Sequence, residues 1–213
     1  PKWGEATYAL ADLLGRSLPP EQRERTVGAS FEKTLTIVAE WAGYELKDGD
    51  AERYRAWTYA KMGELLAAGI EPNPGIRGIL APLRQRGTPM LVTTNTERPL
   101  ADICIDAVGR EFFTDTITGD EVAHPKPAPD MYAEAARRVG ADPADCLVFE
   151  DSVAGMSAAL AAGCAVVGLV ATGAPLPAGA YALDPAQFVG ATAADVDHWF
   201  TASAMLAKRE DIR

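Results

Sequence analysis

The chain predicts an α/β fold, a doubly wound, Rossmann-like parallel sheet joined to a small all-helical domain. Three observations predict it. Residues 1 to about 68 carry apolar positions at helical spacing only, and from residue 76 onward short apolar strands alternate with helices. Polar or charged residues then follow directly on the ends of those strands. In such a sheet ligands sit outside the carboxyl ends of the strands, so the residues placed there converge on one crevice.

Helical periodicity marks Trp3 to Leu14, Thr34 to Ala42 and Tyr54 to Leu66, with Trp41 and Trp57 expected to pack the bundle. The segment Gly69-Ile-Glu-Pro-Asn-Pro-Gly75 breaks the pattern with two prolines and two glycines. A domain boundary is expected there, giving a helical cap over 1–70 and an α/β core over 71–213. A helix over Ile76 to Arg86 leads into a strand over Pro89 to Thr93, and Phe112 to Ile117 forms a second, rich in aromatic and β-branched residues. Leu147 to Phe149 and Ala165 to Val170 complete the strands. Helices over Pro129 to Val139 and Val153 to Ala162 end at Gly140 and Gly163, where a left-handed C-terminal cap favours glycine. Ala174-Pro-Leu-Pro-Ala-Gly179 reads as a surface loop and Ala194 to Phe200 as a closing helix.

Composition narrows the partners. With 213 residues, 48% of them hydrophobic, the chain can build one ordinary core and a smaller insertion. A formal net charge of -10 without a basic cluster weighs against nucleic acid and anionic membranes, because neither polyanion would be attracted. An anionic substrate therefore needs local positive charge. Cys104, Cys146 and Cys164 are scattered and odd in number, the pattern of reduced thiols in a cytoplasmic protein, and none has metal-ligand spacing. No apolar run approaches the roughly 18 residues that span a bilayer, so no membrane association is expected.

Three strand ends carry chemistry. Thr94 and Asn95 follow the strand that ends at Thr93 and offer neutral donors. Lys126 lies between Pro125 and Pro127, which stiffen its loop and narrow the positions its ammonium can take. Glu150 and Asp151 end an apolar strand before a helix. Each group alone also serves as an ordinary turn residue or helix cap. Their order, with donor, lysine and twin carboxylates after successive strands, suits a phosphate and a divalent metal.

These residues lie in Met90-Leu-Val-Thr-Thr-Asn95, in Phe112-Phe-Thr-Asp-Thr-Ile-Thr-Gly-Asp-Glu-Val122 leading to His124-Pro-Lys-Pro-Ala-Pro-Asp130, and in Phe149-Glu-Asp-Ser-Val-Ala-Gly155. Over almost its whole length the chain resembles the haloacid dehalogenase-like hydrolase superfamily, in the phosphatase and β-phosphoglucomutase-like subgroup with a helical cap. The resemblance implies that Thr94 and Asn95 bind the transferring phosphoryl group and that Lys126 neutralises it. It also implies that Asp151, with Glu150 beside or behind it, holds Mg2+, the family's cofactor. Phosphoryl transfer spreads charge over equatorial oxygens, and catalysis by positioning and cationic stabilisation fits those roles. In this family an aspartyl-phosphate divides the reaction into two displacements.

The family's nucleophilic and acid/base aspartates belong to an Asp-x-Asp-Gly-Thr stretch on a first core strand ahead of the cap. This sequence opens at Pro1-Lys-Trp-Gly, at the position of the first cap helix. Asp48-Gly-Asp50 has the acid spacing but lies within the cap and reads as a polar turn. The expectation is that about 20 upstream residues carry the missing strand, between those ending at Thr94 and Glu150.

In the cap, Val27-Gly-Ala-Ser-Phe-Glu-Lys33 matches the family loop that faces the substrate. Phe31 stands where β-phosphoglucomutases carry an arginine and Trp3 where they carry a histidine, which favours phosphatases over mutases. Gly28, Ser30, Phe31, Lys33 and Trp3 are the candidate substrate contacts, although Phe31 and Trp3 also suit plain cap packing. The expected function is a monomeric, Mg2+-dependent phosphomonoester hydrolase acting on a small, sugar-like phosphate. The alternatives are a phosphosugar mutase and a non-catalytic phosphate- or metal-binding remnant.

Overall fold

A computed structural model describes residues 2–171 and 175–210; Ala174 of the expected surface loop lies outside them. Four helices come first: α1 (Lys2–Leu13), α2 (Pro20–Glu24), α3 (Phe31–Ala42) and α4 (Asp50–Ala67). Leu10, Ala11, Leu35, Val38 and Tyr54 form their common core, with Trp41 and Trp57 packed against it. Ser30 caps α3, accepting from the Lys33 amide at 3.3 Å, and Gly43 closes that helix in the left-handed region at φ 68°. Asp48 and Gly49 form the expected turn, and Asp50 is buried at the start of α4, accepting from the Lys47 amide and the Tyr44 hydroxyl, both at 3.0 Å.

Strands and helices then alternate: α5 (Ile76–Gln85), β1 (Leu91–Thr93), α6 (Arg98–Val108), β2 (Asp115–Ile117), α7 (Asp130–Val139), β3 (Leu147–Glu150), α8 (Val153–Ala161), β4 (Ala165–Leu169), β5 (Tyr181–Leu183) and α9 (Ala193–Glu210). All strand pairs are parallel. Ile79, Leu83, Phe188 and Trp199 cover one face of the β3–β4–β5 sheet, and Tyr132, Met156, Ala158 and Ala159 cover the other. Helices on both faces explain why Ala165 to Gly168 are all buried and read as a continuous apolar run. Phe149, Phe188 and Trp199 meet edge to face, with centroids 5.8 to 6.0 Å apart.

Among the described residues the strands form two separate pieces, β1–β2 and β3–β4–β5. Leu91 pairs with Asp115 and Leu147 with Ala165, so β1 and β3 each have a ladder on one side only. The helical segment meets the α/β segment through Ala6, Met62 and Leu66, which pack with Leu100 of α6.

Three elements escape sequence periodicity. The five residues of α2 and the three of β5 are too short to show a period. In α6, Pro99 occupies the first turn, where its missing N–H is harmless, and it reads locally as a loop signal. Conversely, α9 extends ten residues beyond Phe200, to Glu210.

Candidate active site

The ends of β1 and β3 are joined by one side chain. The Lys126 ammonium donates to the Thr93 carbonyl at 3.0 Å and to the Glu150 carboxylate. Both charged side chains are buried, at 5% and 9% exposure. An ammonium has three donors, and these two contacts use two of them. The loop that presents Lys126 is fixed by Pro125 and Pro127 and by His124, whose Nδ1 lies 2.8 Å from Asp130 Oδ1 at the start of α7.

Glu150 is saturated by protein donors. One oxygen accepts from Lys126 and from the Tyr132 hydroxyl at 2.6 Å. The other accepts from the Asp151 amide at 3.2 Å, the Ser152 amide at 3.4 Å and the Ser152 hydroxyl at 3.1 Å. Burial opposes its charge, but Lys126 and these hydrogen bonds outweigh burial and hold its pKa below the ordinary value. Tyr132 is driven the opposite way, upward, by burial and by the Glu150 charge.

Asp151 is placed differently. Its side chain reaches solvent, yet crowding by protein removes part of its hydration, and this, followed by the Glu150 charge, pushes its pKa up. Among the described residues no cation pairs with it. A carboxylate held beside a second negative charge without a counter-ion fits a direct metal ligand, whereas Glu150 has its oxygens engaged behind it. Among the described residues no group of three or more His, Cys, Asp or Glu is arranged to hold a metal. The protein groups here thus fit part of a magnesium sphere, which ordinarily takes one or two carboxylates, with water and substrate oxygens completing it.

Thr94 follows β1 directly. Its Oγ1 accepts from the Thr96 amide at 3.1 Å, which leaves the hydroxyl hydrogen to donate. Asn95 has its side-chain amide engaged: Oδ1 accepts from the Lys126 amide at 2.9 Å, and Nδ2 donates to the carbonyls of Gly28 at 3.0 Å and Lys126 at 3.1 Å.

Lys126 also lines a cleft of about 390 Å³ between the helical segment and the strand ends, together with Arg25, Ser30, Lys33 and Ala154. Of the cap residues expected at the substrate, Ser30 and Lys33 line this cleft and Gly28 reaches the core through Asn95. Phe31 packs against the helical core, with its ring edge-on to Tyr59 at 6.5 Å, and Trp3 is exposed on α1. A smaller hollow lined by Leu13, Arg53, Tyr54 and Trp57 is formed by helical-segment residues alone.

Sequence reasoning missed Arg25, Tyr132 and Ser152. Arg25 follows the unforeseen α2. Tyr132 is signalled only by its place in the first turn after the lysine loop. Ser152 is legible as the N-cap of α8, where its hydroxyl accepts from the Gly155 amide at 3.0 Å.

With this geometry in place, the profile described as "Hydrolase: haloacid dehalogenase-like hydrolase" matches residues 10–163. The chain belongs to that family. Validoxylamine A 7'-phosphate phosphatase of Streptomyces hygroscopicus subsp. limoneus is 33% identical over 77% of this chain and 85% of its own length. Protein CbbY of Rhodobacter capsulatus is 38% identical over 49% of this chain and 48% of its own. The chain spans about half the length, or less, of several curated relatives it matches. Among solved structures, CbbY from Rhodobacter sphaeroides in complex with phosphate superposes with a TM-score of 0.75 at 24% identity, covering 91% of each chain. At that identity the likeness establishes the fold: the parallel α/β architecture with a helical cap.

Proposed function

We propose that the protein is a magnesium-dependent phosphomonoester hydrolase acting on a small, sugar-like phosphate ester. The observation that carries this reading is the Lys126 ammonium, buried between Thr93 and Glu150 at the junction of the two strand sets, with Asp151 following Glu150 as a carboxylate that forms no ion pair among the described residues. Lys126 and the Thr94 hydroxyl would hold the equatorial oxygens of the phosphoryl group. Asp151 would hold Mg2+, and Glu150 would keep the lysine in place. Bound there, the metal would supply positive charge against the developing phosphoryl charge.

The nucleophile is expected to be an aspartate on a further strand between β1 and β3, and the split between the strand sets supports that place. Its carboxylate oxygen would form a bond to phosphorus as the ester P–O bond breaks, and the leaving alkoxide would take a proton from a second aspartate. Water would then displace the carboxylate and release inorganic phosphate. In the cleft, Arg25, Ser30 and Lys33 offer charge and hydrogen bonds to the rest of an oxygen-rich substrate. Two domains, a cap over 1–70 and a core from 71, would close around it.

A panel of sugar and polyol monophosphates, with products identified as well as counted, tests this reading on the natural full-length protein. Free phosphate with the parent sugar supports it. An isomerised phosphate without free phosphate assigns a mutase instead.

A further inference from the structure

The loop that follows β1 touches the cap at two points. Asn95 donates to the Gly28 carbonyl at 3.0 Å, and Glu97 lies 3.6 Å from the Arg55 guanidinium of α4. At the first point the fit is close. Gly28 has φ 72°, and a Cβ there would fall 2.6 Å from the Cβ and Oγ of Ser152, the residue that caps α8 and donates to Glu150. The same Asn95 amide also makes bonds of 2.9 and 3.1 Å with the backbone of Lys126. One side chain thus holds a cap carbonyl and both polar backbone groups of the lysine.

We propose that Asn95 is a positioning residue that couples docking of the cap loop at Gly28 to the placement of Lys126. Nδ2 has two hydrogens, one for each carbonyl, and the Lys126 amide takes Oδ1, so the amide can satisfy all three groups only with the cap docked. When the cap loop leaves, the half-buried Nδ2 donor loses a partner and the amide is free to turn, loosening its hold on the lysine backbone. Docking at Gly28 therefore orders the catalytic cation. The catalytic consequence rests on the phosphatase reading; the mechanical coupling does not.

Amide hydrogen exchange, resolved by residue, tests the coupling from both ends on the full-length protein without substrate. Gly28→Ala acts on the cap loop, by its positive φ and by steric conflict with Ser152, so the Ser152 amide, which donates to Glu150, is followed beside Lys126 as a control. Exchange at the Lys126 amide is expected to rise about three- to tenfold, the scale of one lost hydrogen bond, while Val167 in the β3–β4 ladder stays as in the wild type. Unchanged exchange at Lys126 overturns the proposal. Should Gly28→Ala speed Val167 or Ser152 as well, Asn95→Asp decides. It keeps an acceptor for the Lys126 amide but removes both donors, and faster exchange at Ala29 in the cap supports coupling, whereas an unchanged Ala29 overturns it. Kinetically, Asn95→Asp should lower kcat for a sugar phosphate more than it raises KM. If the wild type releases no phosphate, the phosphatase reading fails while the exchange result still stands.

Discussion

At the scale of single residues, two adjacent carboxylates have opposite environments. Glu150 has its pKa lowered, so it adds stability above the ordinary carboxylate range, and this is lost as pH falls through its folded value. Removing its cation should be severe. Lys126→Met leaves a buried charge unpaired and should cost about 3–5 kcal/mol in urea denaturation, with more than half recovered in the double variant Lys126→Met/Glu150→Gln. An equal loss in both variants would show that the pair is not the source. Asp151 has its pKa raised, so its charge weakens the metal-free fold at neutral pH, and the penalty disappears as pH falls through the raised value toward the ordinary one. Metal-free Asp151→Asn should therefore unfold at higher temperature than the wild type at pH 7 and lose that advantage near pH 4. Addition of Mg2+ should reverse the order, stabilising the wild type by about 1.4 kcal/mol at ten times its Kd and the variant not at all. Thermal melts at the two pH values, with and without the metal, check both signs.

At the scale of elements, the turn from β3 into α8 is built around one carboxylate. A Cβ on Gly155 would lie 2.1 to 2.2 Å from the Glu150 carboxyl atoms, so glycine is required where a helix would otherwise favour alanine. An exposed helical Gly→Ala change stabilises by about 1 kcal/mol. Gly155→Ala should do the reverse, displacing Glu150, lowering the urea midpoint and slowing turnover; a rise in the midpoint would contradict this account. The same turn shows what the sequence could and could not reveal. Val153 to Ala161 and its Ser152 cap are legible from apolar spacing and from serine at the start. That Glu150 turns back to accept from Tyr132 and Lys126 is not, because those partners lie 18 and 24 residues away in the chain. Likewise α2 and β5 were hidden by their brevity, while α1, α3, α4 and α7, with longer apolar faces, appear within a few residues of their expected ends. The split between β1 and β3 follows from the order of strands, which the resemblance supplied and periodicity alone could not.

At the scale of the whole molecule, a chain of net charge -10 places Arg25, Lys33 and Lys126 around one cleft and leaves no acid among the residues that line it. Local cations against an acidic background suit an anionic substrate, and their effect should fade with ionic strength. Arg25→Ala combined with Lys33→Ala should raise KM for a sugar phosphate several-fold at low salt and by less at 0.5 M NaCl, with kcat nearly unchanged, because exposed charges act mainly on binding. A fall in kcat with constant KM would place these cations in the chemistry itself. No helix among the described residues is long and apolar enough to cross a membrane. The strand ends, in place of any single motif, assemble the proposed site: Thr94 and the Asn95 loop follow β1, Lys126 comes from the segment after β2, and Glu150 ends β3 with Asp151 next to it. The measurement that tests this most directly is phosphate release from a sugar phosphate by the full-length protein, in Mg2+ and in EDTA, for the wild type and Asp151→Asn. Release by the wild type in Mg2+ and at least a hundredfold loss, about 2.7 kcal/mol, in EDTA or in the variant are the expected results. Release that survives both EDTA and Asp151→Asn would contradict the proposed site.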